Sequence, residues 1–207
     1  MNKPPVLSLD DACALLRKGG IVAYPTETFY GIGCSALDSM AVACVCEAKG
    51  RPDGKALPVL VGEREQLEQV VTVEDWARPL MDAFWPGPLS LLLPAVRGVP
   101  MLLTGATGRV AVRQTPHPVA RALCLGAGVP LAASSANMSG QPPVTRVADL
   151  DPRLLQGVDG VVDLPPEPDG GMPSTLIEEA GRGTLRILRP GAVTAEMLRR
   201  QGYRVVE

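Results

Sequence analysis

Aromatic residues are scarce in this 207-residue chain: two Trp, three Tyr and two Phe, 3% of the total. Its interior must therefore be built from Ala, Val, Leu and Ile, in keeping with a hydrophobic content of 46%. Histidine occurs once, as His117, and the five cysteines (Cys13, Cys34, Cys44, Cys46, Cys124) show no C-x-x-C spacing. Both facts argue against a structural zinc site and against a disulfide framework. A reducing, cytoplasmic setting is expected. No apolar run approaches the roughly 18 residues that would span a bilayer. The opening "MNKPPVLSLDDACALL" places charge ahead of an amphipathic pattern, unlike a signal peptide. No membrane association is expected. A dominant sign of charge is also missing. Twenty Lys+Arg stand against 22 Asp+Glu, a net charge of −2. Nothing pulls the whole chain toward nucleic acid, so any polyanion site must be a local cluster.

Lysine is the rarest cation, with Lys3, Lys18, Lys49 and Lys55 as the full set. Half of that set falls in "EAKGRPDGKALPVLV", residues 47–61, where Lys49, Arg51 and Lys55 lie within seven positions of one another. Three cations there precede an apolar segment that reads as a buried strand.

The length fits one domain over residues 1–207, with room for a proper core. Helical and extended patterns alternate along it. Helices are predicted over 8–20, 38–50, 63–71, 73–85, 117–128 and 194–202, several of them opened by Ser, Asp or Thr and closed by Gly. Strands are predicted at "IVAYP", "LPVLV", "LSLLLPA", "RVAVR", "PLAAS", "STLIE", "TLRILRP" and "YRVVE". Continuous apolar runs suit strands covered on both faces. The expected class is α/β (α+β), a sheet with helices packed on it. Pro and Gly, 21 and 22 in number, punctuate these elements without forming a low-complexity tract, and no internal repeat is found.

Loops at strand ends are the usual seat of chemistry in such sheets. Five strand ends carry polar residues that a core does not need: "PTET" after IVAY, "AKGRPDGK" before LPVLV, Arg113, "SSAN" after PLAA, and Arg189. If they converge, the pocket holds Lys49, Arg51, Lys55, Arg113 and Arg189 with Thr and Ser hydroxyls between them. Such a pocket suits a polyphosphate together with a carboxylate. Taken singly, each element has a plainer reading. Lys49 and Lys55 also fit as helix-end and loop charges, "PTET" as a turn closed by a side-chain bond, and His117 as a residue shaping a helix start. Cys44 and Cys46 fit as packing residues. "GIGCSA" (31–36) matches the G-x-G-x-x-A dinucleotide fingerprint, but "TETFY" separates it from the preceding strand and the next helix starts only near Asp38. The match is set aside, and no G-x-x-x-x-G-K-[ST] is present.

Read together, the segments "GGIVAYPTETFYGIGCSA", "AKGRPDGKALPVLV", "VAVRQTPHPVA", "PLAASSANMSGQP", "PSTLIE" and "ILRPG" resemble the YrdC-like family in order, from about residue 9 to residue 200. These are the threonylcarbamoyl-adenylate synthases of tRNA modification. The resemblance implies a twisted, largely mixed β-sheet flanked by helices around a large basic cavity, in the short single-domain form. It implies that L-threonine, bicarbonate (or CO2) and ATP give L-threonylcarbamoyladenylate, diphosphate and water. ATP is then a substrate, Mg2+ is expected with it, and no structural metal or metal-ligating residue is assigned. The product would pass to a separate transferase complex, with direct tRNA binding at most weak.

On the same resemblance, Lys49, Arg51 and Lys55 match catalytic and nucleotide-phosphate positions. Ser135, Asn137, Pro143 and Arg189 match further nucleotide positions, and Thr28, Arg113, Ala133 and Ser174 match threonine positions. The chain departs from the pattern at Ala56, where proline is usual, at Leu60, where some members have histidine, and at Gln114-Thr115. Two other functions compete: an RNA- or tRNA-binding module without catalysis, and a carbamoyl-adenylating relative of the hydrogenase-maturation type. The attacking carbamate is already an anion, so its attack on phosphorus calls for cations rather than a histidine base. The residues name no acceptor for the proton of threonine's ammonium.

Overall fold

The computed structural model describes residues 3–50 and 56–206. In chain order the elements are α1 (Leu9–Arg17), β1 (Val22–Pro25), β2 (Tyr30–Ser35), α2 (Ser39–Ala48), β3 (Val59–Val61), α3 (Ala77–Phe84), β4 (Leu89–Pro94), α4 (Met101–Thr104), β5 (Arg109–Gln114) and α5 (Pro118–Ala127). They continue with β6 (Leu131–Ser135), α6 (Pro152–Leu155), β7 (Gly160–Val161), β8 (Thr175–Glu179), β9 (Thr184–Arg189), α7 (Ala195–Arg200) and β10 (Arg204–Val206). The ten strands form one sheet in the order β10-β9-β8-β4-β5-β3-β6-β2-β1-β7. Four pairs are parallel (β1/β7, β3/β5, β4/β8, β9/β10) and the other five antiparallel, so the sheet is mixed as expected.

Strands β1, β2 and β3 are dry on both faces, residue by residue. Ala23, Val59, Val61 and Ala132 point into one apolar cluster, while Val22, Tyr24, Leu60, Leu131 and Ala133 point into the other. The alternation is the period-2 geometry of a strand buried on both sides, which is why these segments read as unbroken apolar runs. Helices α1 and α5 supply Ala12, Leu16, Val119 and Leu123 to the second cluster. Their ends follow sequence signals. The Ser8 hydroxyl accepts the Asp11 N–H at 3.1 Å, with Asp10 and Asp11 in the first turn. Asp38 caps α2 by accepting from Met40 N and Ala41 N at 2.9 and 3.1 Å. Pro118 opens α5, and Gly128 closes it in the left-handed region at φ +72°.

Besides the short α4, α6 and β7, which were not predicted, three places differ from the sequence-based expectation. The predicted helix over 63–71 is a 3-10 helix, Arg64–Gln69. There Gln66 turns inward, accepting Gly62 N and donating to Cys124 O, both at 2.8 Å. The predicted helix over 73–85 is helical over Ala77–Phe84. The third is β2, a strand that the residue pattern did not reveal. All six residues of YGIGCS are buried, and β2 is hydrogen-bonded to β1 on one side and β6 on the other. Its glycines belong to the sheet. A Cβ at Gly33 would come within 2.5 Å of Ala132 O and 2.9 Å of Tyr24 Oη. The set-aside dinucleotide motif thus lies inside a strand, where no helix N-terminus could meet a pyrophosphate.

Candidate active site

The order β8-β4-β5-β3-β6-β2 brings to one place the chain segments that the sequence scatters over some 160 positions. Between β1 and β2 the chain makes a tight turn. Thr26 Oγ1 donates to Phe29 O at 2.6 Å and accepts Phe29 N at 3.3 Å, so Thr26 holds the turn while Glu27 and Thr28 project from it. Arg113 comes from β5, Ala133 and Ser135 from β6, Ser174 from the residue before β8, and Arg189 from the end of β9.

These residues surround two adjoining hollows. The smaller, about 110 Å³, is lined by Thr28, Tyr30, Leu60, Arg113, Ala133, Ser135 and Ser174 among others. The larger, about 350 Å³, shares Thr28, Arg113, Ser135 and Ser174 and adds Glu27, Ala56, Pro143 and Arg189. Two more voluminous hollows, about 620 and 570 Å³, lie beside residues 64–96 and beside the N-terminal segment, and neither contains a predicted site residue. Convergent polar groups from separate strands, rather than volume, mark the paired hollows as the candidate site.

Electrostatics point the same way. Arg113 is a buried cation, 8% exposed, and its guanidinium donates to Glu27 Oε1. Thr115 Oγ1 stands 3.5 Å from the other oxygen of Glu27. Arg189 donates to Ser174 O from two nitrogens, at 3.1 and 2.9 Å, and to Ser174 Oγ at 2.9 Å. Ser174 Oγ in turn lies 2.9 Å from Ser90 Oγ, a hydroxyl buried in β4. The proton affinity of Arg189 is lowered, first by desolvation and then by the positive charge of Arg113. Arg189 is open to solvent along much of its side chain, yet its charged end shares the field of the buried arginine. Arg113 and Arg189 therefore share one space with the hydroxyl residues Thr28, Ser90, Ser134, Ser135 and Ser174.

Of the predicted residues, Thr28, Ala133, Ser135, Pro143, Ser174, Arg113 and Arg189 line the hollows. Arg51 and Lys55 lie outside the described residues; Ala56, which follows them, is on the wall of the larger hollow. Lys49 and Asn137 line neither hollow. Lys49 is 3% exposed and its ammonium donates to the carbonyls of Ser135 and Asn137, the latter at 2.6 Å. Its ammonium is thus tied to the turn that follows β6. Asn137 Nδ2 bonds Met138 O and Gln141 O at 3.0 and 2.7 Å, bracing the same turn, while its buried Oδ1 has no hydrogen-bond partner among the described residues. His117 sits at the N-cap of α5, as its plainer reading held. Its Nε2 lies 3.0 Å from Pro166 O, and burial lowers its pKa, favouring the neutral ring.

Two residues escaped the sequence reading. Glu27 was in view inside "PTET" but without a partner to give it meaning. Ser90 left a signal, being the one hydroxyl in "LSLLLP".

Residues 14–191 match the Sua5/YciO/YrdC family model, which is described by the words "telomere recombination". The chain belongs to this family. Among its curated relatives is a threonylcarbamoyl-AMP synthase of Xanthomonas oryzae pv. oryzae, 41% identical over 161 residues, covering 76% of this chain and 86% of the relative. Another is a threonylcarbamoyl-AMP synthase of Bacillus subtilis, 40% identical over 194 residues, covering 90% of this chain and 54% of the relative. Among solved structures, P. abyssi Sua5 complexed with L-threonine superposes with a TM-score of 0.87 at 36% identity, over 96% of this chain and 58% of that one. The chain thus spans a little over half of the longer Sua5 relatives and most of the shorter Xanthomonas one. The mixed sheet and flanking helices are those of the Sua5/YciO/YrdC fold.

Proposed function

We propose that this chain is a threonylcarbamoyl-AMP synthase, joining L-threonine, bicarbonate and ATP into L-threonylcarbamoyladenylate with release of diphosphate and water. One observation carries the reading. Arg113 and Arg189, 76 positions apart in sequence, line one hollow together with Thr28 and Ser174. A relative of the same fold binds L-threonine.

In this reading the reaction has two stages. Bicarbonate loses water to give CO2, and threonine's nitrogen, shedding its ammonium protons to solvent, takes up that CO2 to form a carbamate. A carbamate oxygen then attacks the α-phosphorus of ATP and diphosphate leaves. The second stage brings an anion toward a triphosphate, so its barrier is dominated by charge repulsion that fixed cations reduce. Arg113 presents a planar fork to the carboxylate of threonine, with Thr28 and Ser174 beside it and Ala133 on the wall. Arg189 serves the nucleotide, together with Arg51 and Lys55. Ser135 and Pro143 line the nucleotide side of the cavity, and Asn137 stands behind that wall in the turn to which Lys49 is bonded. Alignment of bound reactants contributes in its own right, about 7–11 kcal/mol in favourable model reactions.

No group of three or more His, Cys, Asp or Glu able to hold a metal ion occurs among the described residues. Mg2+ in this reading arrives on the triphosphate and neutralises part of its charge. No described helix is long and apolar enough to cross a membrane. The proposed setting is the cytoplasm, where the product would be handed to a separate transferase complex that modifies tRNA.

The test is pyrophosphate release from ATP by the purified chain, measured with threonine and bicarbonate supplied singly and together. Release that requires both is expected. Equal release with serine, or none, would overturn the assignment.

A further inference from the structure

Arg113 and Glu27 form an ion pair on the wall of the larger hollow, joined by residues 86 positions apart. The side chains are 10% and 21% exposed, so each charge has lost most of its water and keeps an opening to the cavity. The bond between them uses one guanidinium nitrogen and one carboxylate oxygen. A guanidinium carries five N–H donors and a carboxylate about four acceptor sites, so each partner retains capacity toward the hollow. A carboxylate beside a cation, inside a site otherwise arranged for anionic ligands, works against phosphate binding. Its presence calls for a positively charged ligand group next to Arg113.

An α-amino acid is the ligand whose charges mirror this pair, with an anionic carboxylate and a cationic nitrogen two bonds apart. We propose that Glu27 receives the α-ammonium of the amino-acid substrate while Arg113 receives its carboxylate. The pair then selects free α-amino acids over hydroxy acids and N-blocked ones, and orients the nitrogen that must become the carbamate. The inference rests on the synthase reading and adds to it the residue that recognises the amine. In the plainer alternative, Glu27 only steadies Arg113. That role predicts equal loss for every ligand whose carboxylate Arg113 holds, whatever stands at the α-position.

Dissociation constants measured by calorimetry for threonine and for 2,3-dihydroxybutanoate, which has a hydroxyl in place of the ammonium, separate the two roles. The wild-type chain is expected to prefer threonine by roughly tenfold or more, the value of one charge-assisted hydrogen bond. Glu27→Gln, of the same size but uncharged, should reduce that preference to within about twofold, and Glu27→Asp should keep most of it. Disturbance of Arg113 cancels in the ratio because both ligands use the same carboxylate. If Glu27→Gln binds both ligands more weakly but keeps the wild-type preference, the ammonium role is overturned and the synthase reading stands. A wild-type chain that binds the hydroxy acid as tightly as threonine overturns it without any variant. Binding of neither ligand would remove the synthase reading and this inference with it.

Discussion

Replacing Lys49 by methionine separates a positioning role from a phosphate-binding one. Methionine keeps most of the aliphatic stem and its packing while removing the ammonium that bonds the carbonyls of Ser135 and Asn137. A partly buried acceptor left without a donor costs about 1–3 kcal/mol, so two carbonyls put about 2–6 kcal/mol at stake. The buried ammonium no longer has to be stripped of water, which offsets part of that loss. A net destabilisation of about 2–3 kcal/mol is expected, which for a chain of this size lowers Tm by roughly 4–12 °C. The assay is thermal unfolding without any ligand, followed by ATP titration. Loosening the 135–141 turn should also weaken ATP, by about tenfold for each 1.4 kcal/mol carried through to the nucleotide wall. A ligand-free Tm within about 1 °C of wild type, with ATP affinity alone reduced, would refute the reasoning and return Lys49 to the phosphates.

Two further predictions concern the fold that supports the site. Burial pushes the thiols of Cys34 and Cys124 up to about 12, from an ordinary value of 9.0. Between those values the folded chain holds protons that the unfolded chain has released. Their contribution is therefore complete below pH 9 and falls as pH rises toward 12, with about 2–3 kcal/mol lost from the pair between pH 8 and 10. Urea unfolding across that range should show the loss and a Cys34→Ala, Cys124→Ala variant should lack it; identical slopes would contradict it. Gly33→Ala places a methyl 2.5 Å from Ala132 O, an atom fixed by the sheet. A loss of about 1–3 kcal/mol in chemical denaturation is expected, and an unchanged midpoint would show that β2 is not packed as described.

The sheet was legible wherever a strand is buried on both faces, because an apolar run bounded by Gly, Pro or a polar turn has few other solutions. Arg113 and Arg189 stood out on the same ground, as charges ending apolar runs. β2 was hidden by composition: YGIGCS has two glycines, which lower strand propensity and mimic a nucleotide loop. Glycine is there because the neighbouring backbone and Tyr24 leave no room for a Cβ at Gly33. The orientation of Lys49 was hidden for another reason. A lysine at a helix C-terminus satisfies the same pattern whether its ammonium faces solvent, phosphate or carbonyls, and the carbonyls it bonds come from the distant turn after β6. Glu27 had no meaning until the β2-β6-β3-β5 order set it against Arg113. Pairings of that kind belong to topology, which local sequence does not encode.

The central claim is that one hollow couples threonine, bicarbonate and ATP, and the mass spectrum of the nucleotide product tests it most directly. Incubated with threonine, ATP and isotope-labelled bicarbonate, the chain should yield an adenylate whose mass includes threonine and the labelled carbon together. A product spectrum containing only AMP or ADP, or an adenylate without the label, would contradict it.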